Sequence, residues 1–123
     1  MNKFTIPLIP RTKKNSNQLY KNHKTGKLYP APSKAFQEFQ QGAGWYIPMK
    51  GALIEKPVNV KCEFYFESNL RVDLVNLLEA IDDILVHYKV LADDNSKIIV
   101  SHDGSRVFLR SGRSGVDVEI EEV

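Results

Sequence analysis

Val58-Asn59-Val60-Lys61-Cys62-Glu63-Phe64-Tyr65-Phe66-Glu67 alternates apolar and polar residues without a break. Successive side chains of a strand point to opposite faces. Val58, Val60, Cys62, Phe64 and Phe66 therefore share one face, and Asn59, Lys61, Glu63, Tyr65 and Glu67 the other. This is a strand with a buried side, on which Cys62 reads as an inert core thiol. From Asp73 to about Tyr88 the period changes. Leu74, Leu77, Leu78, Ile81, Ile84, Leu85 and Tyr88 recur at helical spacing, and Asp73 is suited to cap that helix.

Outward from this pair the pattern continues. Lys97–His102, with Ile98, Ile99 and Val100, reads as a strand, and Asp103-Gly104 as a hairpin turn into a strand at Arg106–Arg110. Ser111–Gly115 is a second turn, and Val116, Val118 and Ile120 mark a last strand. Toward the N-terminus, Ser33 caps a helix carrying Ala35, Phe36, Phe39 and Ala43, stopped by Pro48. Phe4, Ile6 and Leu8 alternate in a strand over Lys3–Ile9 that Pro7 pushes to a sheet edge. Between them, residues 10–32 form a polar, basic loop with a turn at Thr25-Gly26-Lys27. The expected fold is α+β (mixed α/β): a single small mixed sheet of about four to five strands packed by two main helices, in one domain over residues 1–123.

Composition agrees with that. The chain has 123 residues, 42% of them hydrophobic and 26% charged, which excludes collagen-like, disordered and disulfide-scaffold classes. Its lone cysteine allows no internal disulfide. No apolar run approaches the ~18 residues of a membrane span, and Met1–Pro10 lacks a signal-peptide core. The expectation is a cytoplasmic protein off the membrane.

The formal charge of +2 conceals an asymmetry. Residues 1–37 carry eight cations and no acid; residues 38–123 carry nine cations and all fifteen acids. A basic segment interleaved with Tyr20, His23 and Tyr29 suits a nucleic acid, because cations release phosphate counterions and rings stack on bases. The helix at 73–88 has the opposite character: Asp73, Glu79, Asp82 and Asp83, with no Lys or Arg. Asn76, Glu79, Asp83 and His87 fall on its polar side, and Asp93 and Asp94 follow it. Such carboxylates suit a hard cation such as Mg²⁺, and a basic half beside an acidic cluster fits a metal-dependent nuclease. A spaced Cys/His zinc set and a Walker-type loop are both absent from the sequence. Trp45 reads as core or interface rather than as a platform for a base.

Arg71-Val72-Asp73-Leu74-Val75-Asn76-Leu77-Leu78, followed by Leu91-Ala92-Asp93-Asp94 and the Ile98–Val100 strand, resembles the signature of RusA-type Holliday junction resolvases. Lys13-Lys14-Asn15-Ser16-Asn17 and the helix start at Ser33-Lys34-Ala35-Phe36 resemble that family too. The resemblance implies a dimeric hydrolase, a crossover junction endodeoxyribonuclease, often phage-encoded. It would nick four-way DNA junctions in pairs with Mg²⁺, or Mn²⁺ in its place, in recombination and repair. It carries the essential acids over to Asp73 and Asp94. Two positions depart from the family pattern: its second aspartate is Val75 here, and its lysine is Glu79. Glu79, one turn past Val75, is placed to replace the missing carboxylate. The resulting candidates are Asp73, Asp94 and Glu79 for catalysis and metal, with Asp83 a further metal ligand. Arg11, Lys13, Lys14, Asn15, Lys21, Lys24, Lys27 and Arg71 are the candidates for DNA. The alternative is a branched-DNA-binding protein whose chemistry was lost at Val75 and Glu79.

Overall fold

The computed structural model describes residues 2–13, 18–21, 23–31 and 33–123. In chain order the elements are β1 (Asn2–Ile6), β2 (Gln18–Lys21), β3 (Leu28–Ala31), α1 (Lys34–Ala43), β4 (Val58–Tyr65), α2 (Leu74–His87), β5 (Ile99–Ser101), β6 (Arg106–Phe108) and β7 (Gly115–Glu122). The architecture is the expected α+β one: two helices on a mixed five-stranded sheet. The sheet runs β1-β7-β4, with β5 and β6 both along the far edge of β4.

Register explains why one face is dry. β7 runs antiparallel to both neighbours, pairing Val116, Val118 and Ile120 with Phe64, Cys62 and Val60 of β4. On its other side Val116 and Val118 pair with Ile6 and Phe4 of β1. All these side chains are buried and share one core with Phe36 and Phe39 of α1 and Leu77, Ile81, Ile84 and Leu85 of α2. Burying each such side chain stabilises the fold by about 1.5–3 kcal/mol. The other face stays polar, with Lys61 opposite Glu119 and Glu63 opposite Asp117. β1 is an edge strand and stops at Ile6, before Pro7, which has no N–H to give a ladder.

Both helices start on caps that the sequence identifies. Ser33 Oγ accepts from Phe36 N at 3.2 Å. Asp73 Oδ1 accepts from Val75 N at 3.0 Å and Asn76 N at 3.4 Å. The basic stretch holds more structure than a loop: β2 and β3 pair antiparallel, Tyr20 opposite Tyr29, across a turn with Gly26 at φ +73°.

The Asp103-Gly104 hairpin is not formed. β5 and β6 do not pair with each other; both run parallel to β4, at Val58–Asn59 and at Glu63–Tyr65. Residues 102–105 interrupt one edge strand, and side chains replace the missing ladder. His102 Nδ1 lies 2.8 Å from Val60 O, and Ser105 Oγ accepts from Cys62 N at 2.9 Å. Asn59 ties down the interruption: its Oδ1 accepts from Asp103 N at 2.7 Å and its Nδ2 donates to Asp103 O at 3.1 Å. Asp-Gly is a hairpin signal only when the following strand reverses. Here Gly104 (φ +88°) instead gives the chain a kink against the Lys61 side chain.

Ser105→Ala strands the Cys62 amide of a fully buried residue. The expected loss is about 1–3 kcal/mol in urea unfolding, with Ser105→Thr recovering most of it. An unchanged midpoint for Ser105→Ala would show that the hydroxyl does not stand in for the ladder.

Candidate functional site

Chain direction decides which carboxylates meet. β4 ends at the N-terminus of α2; α2 runs back across the sheet; the chain then enters β5 parallel to β4. Asp73 therefore stands at one pole of the domain, and Asp94, just ahead of β5, at the other. At 1.5 Å per residue, Glu79 is about 9 Å and Asp83 about 15 Å along the axis from Asp73. Asp94 keeps company with Asp83, not with Asp73: both line a cleft of about 360 Å³ with Lys13, Gln37, Gln40 and His87. Among the described residues no group of three or more His, Cys, Asp and Glu side chains is arranged to hold a metal ion.

At the Asp94 pole the electrostatics are those of crowded acids. Partial burial, first, then hydrogen bonding with Asp93 and the charges of Asp83 and Asp93 push the Asp94 carboxyl above its usual range. Asp93 is pulled down by the backbone N–H of Asp94, which its Oδ1 accepts at 2.7 Å. Lys13, from the start of the basic segment, reaches in and sits 3.4 Å from Asp83 Oδ2. Two carboxylates that repel each other in a polar cleft suit Mg²⁺, which takes one or two carboxylates and completes its shell with water and phosphate. Asp83 and Asp94 are the two carboxylates of one chain that share this cleft.

Asp82 does different work. Its Oδ2 lies 2.9 Å from His102 Nε2, while the other ring nitrogen faces Val60 O. Val60 O can only accept, so Nδ1 donates to it, and Nε2 shares a proton with the Asp82 carboxyl. The hydrogen bond to Asp82 outweighs partial burial and holds the His102 pKa above the usual imidazole value. Burial pushes Asp82 up against the pull of His102, and its Oδ1 is buried with no partner among the described residues. This pair pins α2 to the interrupted edge strand. Burial, reinforced by the charge of Asp82, also raises the Cys62 thiol well above its usual value, in keeping with an inert core group.

At the Asp73 pole, Arg11 and Arg71 line a shallow cleft with Thr12, Phe66 and Leu70. Asp73 is exposed but already caps α2. Val75 is 68% exposed and Glu79 half-buried. Of the other DNA candidates, Lys24 and Lys27 are exposed near the hairpin turn and Lys21 closes β2, while Lys14 and Asn15 lie outside the described residues. A larger cleft of about 570 Å³ lies elsewhere, lined by Lys61 but also by Asp103, Glu119, Glu121 and Glu122, and is ill suited to phosphate.

One feature escapes a linear reading. Arg113 lies 3.7 Å over the Tyr65 ring, Tyr65 stacks on Phe108 at 4.9 Å, and Arg106 lies 4.7 Å over Phe108. This four-layer stack crosses the open sheet face. The signal available in the sequence was the crowding of Arg106, Arg110 and Arg113, three of the five arginines, into eight residues.

No family model matches the chain, and no curated protein is significantly similar to it. Among the described residues, no helix is long and apolar enough to cross a membrane.

The His102–Asp82 pair makes stability depend on pH with a definite sign. A raised imidazole pKa contributes fully below the unfolded value of about 6.5 and is lost as pH rises through the native value. In EDTA, the urea midpoint should fall from pH ~6.5 to ~9, and His102→Asn should flatten that slope. Equal slopes in the two proteins would contradict the ion pair.

Proposed function

We propose that this chain is a Mg²⁺-dependent, structure-specific endodeoxyribonuclease that cuts four-way (Holliday) DNA junctions by paired nicks, acting as a homodimer in recombination or repair. The observation that carries this reading is the Lys13–Asp83–Asp94 cleft. There the basic segment, suited to phosphate, meets the carboxylate pair suited to a hard cation. Cations of residues 11–27 grip the backbone and position the DNA without reading its sequence. When bound, Mg²⁺ supplies Lewis acidity at the scissile phosphate and lowers the pKa of a bound water.

Asp73 needs a different account, because α2 separates it from Asp94. A second copy packed with its α2 antiparallel to the first would set Asp73 of one protomer beside the partner subunit's Asp94. Exposed Val75 lies near the contact such packing requires. A two-fold axis then gives two equivalent sites, matching a substrate cut on two strands.

The test is nicking of a labelled synthetic four-way junction, with Mg²⁺ and with EDTA. Paired nicks should need Mg²⁺, spare linear duplex, and fall about 10²–10³-fold or more in Asp94→Asn and Asp73→Asn. A specific observation favours a second reading, a branched-DNA binder without chemistry: Val75 stands exposed on α2 where the resemblance calls for an aspartate. Tight junction binding with no nick under Mg²⁺ or Mn²⁺ would establish that reading and overturn the first.

A further inference from the structure

Trp45 is 87% exposed, so it is not a core residue. Nor is it on a loose loop. Its N–H donates to Gly42 O at 3.2 Å and that of Tyr46 to Ala43 O at 3.0 Å. Tyr88 OH donates to Gln40 O at 2.6 Å, and Lys50 Nζ donates to Gly44 O. Any Cβ at Gly44 would lie 2.6 Å from the Tyr88 oxygen, so the turn can sit this close only with glycine there. Farther along, Gly51, Leu53 and Ile54 donate to the carbonyls of Tyr88, Lys89 and Val90. The fold holds the backbone on both sides of the indole and leaves the indole in water.

The surroundings say what it meets. The hollow beside the indole is lined by Gln41, Gly44, Lys50 and Tyr88. Ring surface from Trp45 and Tyr88 lies there beside one cation, Lys50, a pairing that suits a base and its phosphate. Gln40 and His87 line the acid cleft, and their neighbours Gln41 and Tyr88 line this hollow, so the two adjoin. An exposed ring beside a lysine, in a hollow that adjoins the acid cleft, offers a face on which a base can stack.

We infer that Trp45 stacks on an unstacked base at the branch point of the DNA and so delivers the adjoining phosphate to the Asp83–Asp94 cleft. This rests on the proposed nuclease reading and adds the feature the enzyme reads: an exposed base face, which an intact duplex lacks and which stacking recognises without regard to sequence. The turn after α1, and not the basic segment, then sets the preference for branched over linear DNA.

Trp45 is the only tryptophan, so emission of the full chain reports this site alone. In EDTA, saturating unlabelled junction should quench it by about half or more, since a stacked indole loses its emission to the base. Linear duplex at equal occupancy, fixed by gel shift, should leave it unchanged. Trp45→Ala should weaken junction binding about tenfold with duplex binding kept, and Trp45→Phe should recover part of the loss. Junction binding without quenching overturns this inference and leaves the nuclease reading standing. A blue shift on concentrating the protein without DNA overturns it too, showing that a second copy covers the indole. Failure to bind either DNA overturns both readings.

Discussion

β5 and β6 lie parallel to β4, and parallel neighbours joined by a helix require that helix to run the other way. This constraint carries Leu77, Ile81, Ile84 and Leu85 back over Val58, Val60, Cys62 and Phe64 and closes the core. It also sends the two ends of α2 to opposite poles. Asp73 goes with the C-terminal end of β4, and Asp83 and Asp94 with its beginning. The chain's acids are thereby sorted before any chemistry is considered, and a site needing both poles needs a second copy of the helix.

Along α2, burial separates neighbouring carboxylates by task. Asp82 turns inward to the His102 ring, and His102 in turn stands in for a ladder bond to Val60. Asp83, one residue on, turns to the cleft and meets Lys13. One acid fastens the helix to a broken edge strand, and the next faces the surface where the basic segment arrives. Asp94 completes the outer pair, its raised pKa following from partial burial and like charge. Trp45 stands beside the same cleft, on a turn fixed by Gly44 and Tyr88.

Much of this was legible in the sequence, for physical reasons that differ by element. β4 and α2 declare themselves because each has one buried face, and a buried face imposes its period. Ser33 and Asp73 are readable because the first N–H groups of a helix need acceptors nearby. The hairpin at Asp103-Gly104 misled because the dipeptide specifies a local conformation, not the direction of the strand beyond it. The Asp82–His102, Arg113–Tyr65 and Tyr65–Phe108 contacts join residues twenty or more positions apart, and only the sheet register brings them together. The candidate acids were identifiable by type, but their grouping was not. Helical spacing places Glu79 and Asp83 relative to Asp73; it says nothing of where a loop returns Asp94. Trp45 reads as core or interface because tryptophan usually is largely buried; the core alternative fails, and only tertiary structure reveals the mount built beneath an exposed ring.

In the proposed dimer Asp73 of one protomer and the partner subunit's Asp94 share a site, so two variants inactive alone, Asp73→Asn and Asp94→Asn, should restore each other when mixed. Unfolding and refolding the two together gives heterodimers in which one site has both aspartates and the other has neither. With random pairing, Mg²⁺-dependent nicking of a four-way junction should return to about a quarter of the wild-type level. If the mixture stays as inactive as its parts while gel shifts show junction bound, the two aspartates do not form a site between subunits, and the account fails.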